Sequence, residues 1–291
     1  MRAGTALRLG RVSNLPTVWT NALAGIALAG GDPWQPATAV VLLALSLFYV
    51  GGMYLNDAFD RETDARERPS RPIPAGEISA DAVFAAGFAM ILAGLAAVVP
   101  AAHLAGVGAG GAAVAGASLG GTILAYDWRH KGNPLGPLVM GACRVLAYLT
   151  AGVAVAGAVP PALLGAATVA LCYLIGLTYV AKQETLGRVR NLWPLAFLAA
   201  PLPYGLALLA DGGGWAAGLL LLALLAWIAR ALGLLLRRRP GDIPRAVVSL
   251  IAGISLLDAL FLAGSGATGA ALLAVACFGA TLVLQRWISG T

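Results

Sequence analysis

Apolar runs of about 20 residues, long enough to cross the hydrocarbon core of a bilayer as helices, recur from one end of this chain to the other. The pattern predicts helices over roughly 14–31, 36–55, 81–100, 104–125, 136–157, 161–181, 192–210, 215–236, 244–263 and 267–287. The connections between them are too short for a soluble domain, so residues 1–291 are expected to form a single membrane domain. The last pair of runs is the hardest to separate. The expectation is therefore an all-α membrane protein of nine or ten transmembrane helices.

Polar positions sharpen this picture because they are so few. Only 11% of residues are charged, 59% are hydrophobic, and the mean hydropathy is +0.84, values that exclude an ordinary soluble globule. Lys and Arg gather in alternate connections: Arg2, Arg8 and Arg11, then 61–71, 129–131, 182–190 and 237–245. The intervening connections near 30–36, 100–103, 158–161, 211–214 and 263–268 hold neither residue. By the positive-inside rule the basic connections and the N-terminus are cytoplasmic, which predicts an inner-membrane protein whose chemistry faces the cytoplasm. The net charge of +6 then reports topology and attraction to anionic lipid or substrate, and gives no support to nucleic-acid binding. Cys143, Cys172 and Cys277 lie singly inside predicted spans and read as packing residues. The 38 glycines suit close helix packing and form no phosphate loop.

With 13 Asp and Glu in the whole chain, the run Asn56-Asp57-Ala58-Phe59-Asp60-Arg61-Glu62-Thr63-Asp64 stands out. On a helix, Asn56, Asp60 and Asp64 fall on one stripe at i, i+4 and i+8, with Asp57 beside it. Carboxylates this close need a cation to stay ionised together, and all-oxygen ligands suit a hard ion such as Mg²⁺. The ordinary alternative is a solvated helix end, but acids at the edge of a membrane span are functional by default. Arg66, Arg68 and Arg71 follow in a proline-rich loop that can fold back over the acids, where guanidinium groups grip oxyanions such as a diphosphate. Simple inside-positive anchoring would also account for any one of them.

Other polar groups sit on the same side. Tyr126-Asp127-Trp128-Arg129-His130-Lys131 offers Lys131, and Arg144 follows inside the next span, where it needs a polar cavity or a partner. Glu184, Arg188 and Asn191 share a second, weaker helical stripe beyond Lys182. Asn21 lies at membrane depth and Asp258 near the middle of a late span. Each could be interhelical glue or could line a cavity.

These residues resemble the UbiA superfamily of intramembrane prenyltransferases over essentially the whole chain. The likeness rests on Arg11-x-x-Asn14-x-Pro16-Thr17 with Asn21, on the Asn56–Asp64 motif with its Arg-Pro tail, and on Tyr126…Lys131. It implies helices around a central cavity, and Mg²⁺-dependent transfer of a prenyl group from a prenyl diphosphate to an aromatic, quinone-precursor or other lipid-pathway acceptor within the membrane. By the resemblance, Asp57, Asp60, Asp64 and Lys131 are catalytic. Asn56, Asp57, Asp60, Asp64 and Glu184 are metal ligands, and Arg68, Arg71, Lys131, Lys182 and Arg188 bind diphosphate. Asn21 and Arg144 meet the acceptor. The sequence departs from the family at its second acidic motif, where Glu184 is the only acid and Arg188 stands where a second is expected. Either Arg188 neutralises the diphosphate in place of a metal, the preferred reading, or the site no longer ionises a donor. The rivals are an intramembrane terpene cyclase on the same scaffold and a non-catalytic isoprenoid-binding carrier.

Overall fold

The structure, a computed structural model, describes residues 3–129, 133–182, 192–288 and 290. Among the described residues it is helical throughout, with no β-strand. In chain order the helices are α1 (Ala3–Leu9), α2 (Leu15–Leu28), α3 (Pro36–Phe59), α4 (Arg61–Glu67), α5 (Ala80–Leu104), α6 (Ala109–Arg129) and α7 (Gly136–Ala156). They continue with α8 (Pro161–Lys182), α9 (Pro201–Ala210), α10 (Gly214–Arg237), α11 (Asp242–Gly264) and α12 (Thr268–Leu284). Short 3₁₀ segments at Val12–Asn14 and Trp193–Ala199 lead into α2 and α9.

The boundaries follow local chemistry. Proline opens α3 and α8, where its missing N–H costs nothing. Ser79 caps α5 by accepting from the Ala82 N–H at 3.3 Å. Gly157, at φ 67°, ends α7 in the left-handed conformation that favours glycine. The seventh expected span, 192–210, is a broken one. Pro194, Pro201 and Pro203 remove backbone donors along it, and its first half winds as a 3₁₀ helix before α9 begins.

Among the described residues eight segments are long and apolar enough to cross a membrane, and α12 is an apolar helix of 17 residues. The first expected span shrinks to the 14 residues of α2. Arg11 takes a left-handed conformation (φ 42°) just before it, and Gly30 (φ 85°) turns the chain just after it.

Two apolar cores share α2 and α7. One joins them to α3, α5 and α6, the other to α8, α10, α11 and α12. Close approach is licensed by glycine: a Cβ on Gly25 of α2 would stand 2.5 Å from the Tyr148 carbonyl oxygen of α7, and one on Gly87 of α5 2.7 Å from Leu55 of α3. Helix α11 is the most enclosed, with 83% of its apolar window buried against 28% for α5, α6 and α10. That enclosure is what lets α11 carry Asp258 at 0% exposure.

Candidate active site

A cavity of about 600 Å³ opens where the two cores part. Its walls are apolar faces of α3, α6, α7, α8 and α11, among them Phe48, Leu119, Ala147, Leu174 and Ile254. Its mouth is polar, and the acid motif forms one lip.

Asn56, Asp57, Asp60 and Asp64 are all buried, at 7%, 6%, 9% and 3% exposure. Helix α3 ends at Phe59 and α4 starts at Arg61, yet the amides of Asp60 and Asp64 still bond to the carbonyls of Asn56 and Asp60 at 3.0 and 2.9 Å. The stripe therefore survives a slight break at Asp60. Asn56, Asp60 and Asp64 line the cavity together with Arg68, Arg71 and Lys182.

The proline-rich loop returns Arg71 over the stripe. Its Nη1 donates to Asp57 Oδ1 at 2.7 Å and to Asp64 Oδ2 at 3.1 Å, while Arg11 Nη2 reaches the same Asp57 oxygen at 3.2 Å. Asp57 is thus clamped between two guanidinium groups, whereas Asp60 and Asp64 face the cavity. Burial, and after it the charge of Arg11, pulls the Arg71 guanidinium below its usual pKa, while Asp57 and Asp64 pull the other way. Among the described residues no three acidic, histidine or cysteine side chains converge on one point. The cation holding Asp57 and Asp64 together is Arg71. The carboxylate oxygens there are hard donors largely shielded from water, the chemistry that suits an ion such as Mg²⁺.

Two residues at the mouth were given no role from the sequence, although both lie in the segments that carry the resemblance. Arg11 holds a strained left-handed conformation while it reaches Asp57. Asp127, at the last turn of α6 and 3% exposed, lines the cavity and accepts from Asn56 Nδ2 at 3.1 Å. Its only sequence signal was an acid beside Tyr126 in a chain poor in acids. Lys131, Glu184 and Arg188 lie outside the described residues.

Deeper in, Arg144 lines the cavity and donates through Nη1 to Asn21 Oδ1 and, at 3.4 Å, to the Thr17 carbonyl. Asn21 Nδ2 donates to Tyr148 Oη at 3.1 Å and to Asp258 Oδ2 at 2.7 Å. Thr20 Oγ1 and Tyr148 Oη also donate to Asp258. Asp258 is therefore paired across helices, a partnership invisible in sequence because it joins residues more than a hundred positions apart. The arrangement offers an apolar space for a hydrocarbon chain, an anion-gripping mouth and, deeper in, the half-buried cation of Arg144.

Comparison with known proteins agrees with this geometry. The digeranylgeranylglyceryl phosphate synthase of Methanopyrus kandleri is 37% identical over 116 residues, 39% of this chain and 37% of that protein. This chain spans only about a third of the length of the first curated relatives it matches, 37% and 34%. A solved digeranylgeranylglyceryl phosphate synthase shares the fold at a TM-score of 0.61 with 19% identity, covering 90% of this chain and 97% of that one. A UbiA homolog from Archaeoglobus fulgidus, solved bound to DMAPP and Mg²⁺, shares it at a TM-score of 0.56 with 18% identity, covering 91% and 98%. Residues 17–257 match the UbiA prenyltransferase family, and the chain belongs to that family.

Proposed function

We propose that this protein transfers a prenyl group from a prenyl diphosphate to an acceptor held inside the membrane. The observation that carries the reading is the buried carboxylate stripe with Arg71 folded over it, at the mouth of an apolar cavity. The DMAPP and Mg²⁺ of the A. fulgidus homolog support it.

The prenyl tail lies between α3, α6, α7 and α8, out of water, with its diphosphate at the mouth. Asn56, Asp60, Asp64 and, with Arg71 moved off it, Asp57 would hold Mg²⁺, with Glu184 a further candidate. The metal screens the diphosphate charge as it leaves. Arg68, Arg71 and Lys182 meet the phosphate oxygens from the cavity rim, and Lys131 and Arg188 are assigned the same task by their place in the sequence. As the allylic carbon–oxygen bond breaks, the electron pair goes to the diphosphate and the carbon takes an electron pair from the acceptor, which gives up a proton. Exclusion of water keeps that carbon from hydrolysis. Asn21 and Arg144 place the acceptor, and the likeness to digeranylgeranylglyceryl phosphate synthases favours one carrying a phosphate. In this reading the mouth faces the cytoplasm, as the positive-inside rule favours for the basic connections.

The test is pyrophosphate release by purified protein in lipid, with prenyl diphosphates of several lengths, with and without acceptors. Release that needs Mg²⁺, an acceptor and Asp60, and that vanishes in Asp60→Ala, is the expected result. Full release by Asp60→Ala removes the metal assignment. Release without any acceptor, yielding a cyclised product, replaces transfer with cyclisation.

A further inference from the structure

We propose that Asp258, which does not itself line the cavity, is the positioning residue that holds Arg144 at the cavity floor, acting through the amide of Asn21. The inference rests on the prenyl-transfer reading in that it assigns Arg144 to acceptor binding, and it adds a residue from the far side of the bundle.

Three helices meet at this point. Asp258 comes from α11, Thr20 and Asn21 from α2, and Arg144 and Tyr148 from α7. Asp258, Asn21, Thr20 and Tyr148 are each 0% exposed. Both oxygens of Asp258 are occupied: Oδ1 by the Tyr148 hydroxyl, Oδ2 by the Thr20 hydroxyl and the Asn21 amide. The Tyr148 ring is braced edge-on by Phe261, one turn along α11 from Asp258, at 6.3 Å between centroids.

An amide side chain has a donor end and an acceptor end, and a neighbour that only accepts decides which way it faces. Asp258, as a carboxylate, only accepts. It therefore draws the N–H₂ of Asn21 towards α11 and turns the carbonyl oxygen towards α7, where Arg144, which only donates, binds it. With the amide reversed, two donors would confront each other at Arg144. The carboxylate thus sets the polarity of a relay that ends on a guanidinium facing the cavity, while balancing its charge at a depth where a lone cation is costly. Helix glue alone would have no need of this polarity.

Asp258→Asn separates the two roles. It keeps shape and hydrogen-bonding capacity but lets the relay reverse, so that Asn21 presents N–H₂ to Arg144. The double variant Asn21→Asp with Asp258→Asn moves the carboxylate one link along the relay and gives Arg144 its acceptor back. Both are compared with wild type in lipid nanodiscs by reaction with phenylglyoxal, read at Arg144 by peptide mass spectrometry. Loss of a hydrogen bond to a charged group predicts about tenfold more Arg144 modification in Asp258→Asn, and the double variant returns it to the wild-type level. In turnover, the acceptor KM rises about tenfold in Asp258→Asn while the prenyl diphosphate KM stays put.

Unchanged modification in Asp258→Asn, or a rise that the double variant does not reverse, overturns the proposal. Should Asp258→Asn fail to fold, Tyr148→Phe serves instead. It removes one of the two acceptors of Asn21 Nδ2 and predicts about twofold more modification, and no change there also overturns it. If wild type turns over no prenyl diphosphate with any acceptor, the transfer reading fails, and the labelling still decides the role of Asp258.

Discussion

At the scale of single residues, the mouth of the cavity is governed by charge compensation. Arg71, its side chain 15% exposed, holds two carboxylates whose side chains are 8% and 5% exposed. Removing the guanidinium leaves Asp64 without that partner and Asp57, among the described residues, with Arg11. For such a partly buried group the cost is about 2 kcal/mol. Arg71→Ala in lipid, with metal chelated, should therefore show a lowered apparent melting temperature, and added Mg²⁺ should recover more of it than the same ion adds to wild type. Mg²⁺ that stabilises neither protein would mean that these carboxylates hold no cation but arginine. The acid stripe was legible in sequence because its i, i+4, i+8 spacing is local. The clamp on Asp57 was only half legible. A proline-rich loop announces a chain reversal, but not that Arg71 rather than Arg68 makes the contact, nor that Arg11 would arrive from 46 residues upstream.

At the scale of elements, the apolar runs located nearly every helix, because spanning a bilayer fixes both length and composition. The departures were at α2, which is shorter than expected, and inside 192–210, a span the structure keeps but which proline divides into a 3₁₀ segment and a helix. Hydropathy counts side chains, whereas these two outcomes depend on backbone donors and φ angles. Glycine was legible as a tendency but not as particular crossings. Gly25 lies against the Tyr148 backbone, so Gly25→Ala must push α2 and α7 apart, at a cost of about 1–3 kcal/mol. Gly121 of α6 has nothing within 4 Å of its would-be Cβ. Gly121→Ala should stabilise by about 0.5 kcal/mol through reduced backbone freedom. Thermal unfolding of the two variants in one detergent tests the contrast, and equal effects would show that the α2–α7 crossing is not closely packed.

For the molecule as a whole, the alternation of connections rich in Lys and Arg with connections that hold neither predicts that the cavity mouth faces the cytoplasm. With the native cysteines replaced by alanine, Glu67→Cys should resist a membrane-impermeant maleimide in intact cells and Asp211→Cys should react. The reverse pattern would invert the topology. Both residues are exposed, so access and not burial decides the outcome.

The link between Asp258 and the α2–α7 pair also has a consequence for biogenesis. During synthesis α2 and α7 leave the ribosome long before α11, so for much of that time Arg144 sits in the bilayer without the carboxylate that balances it. The late arrival of α11 acts as a completion signal: until it docks, the nascent protein carries a polar defect that membrane proteases can recognise. A chain stopped after Arg239 should therefore insert but turn over quickly, and co-expression of a segment from Pro240 onward should stabilise it. The same segment carrying Asp258→Leu should rescue it poorly, and pulse-chase labelling would measure the difference.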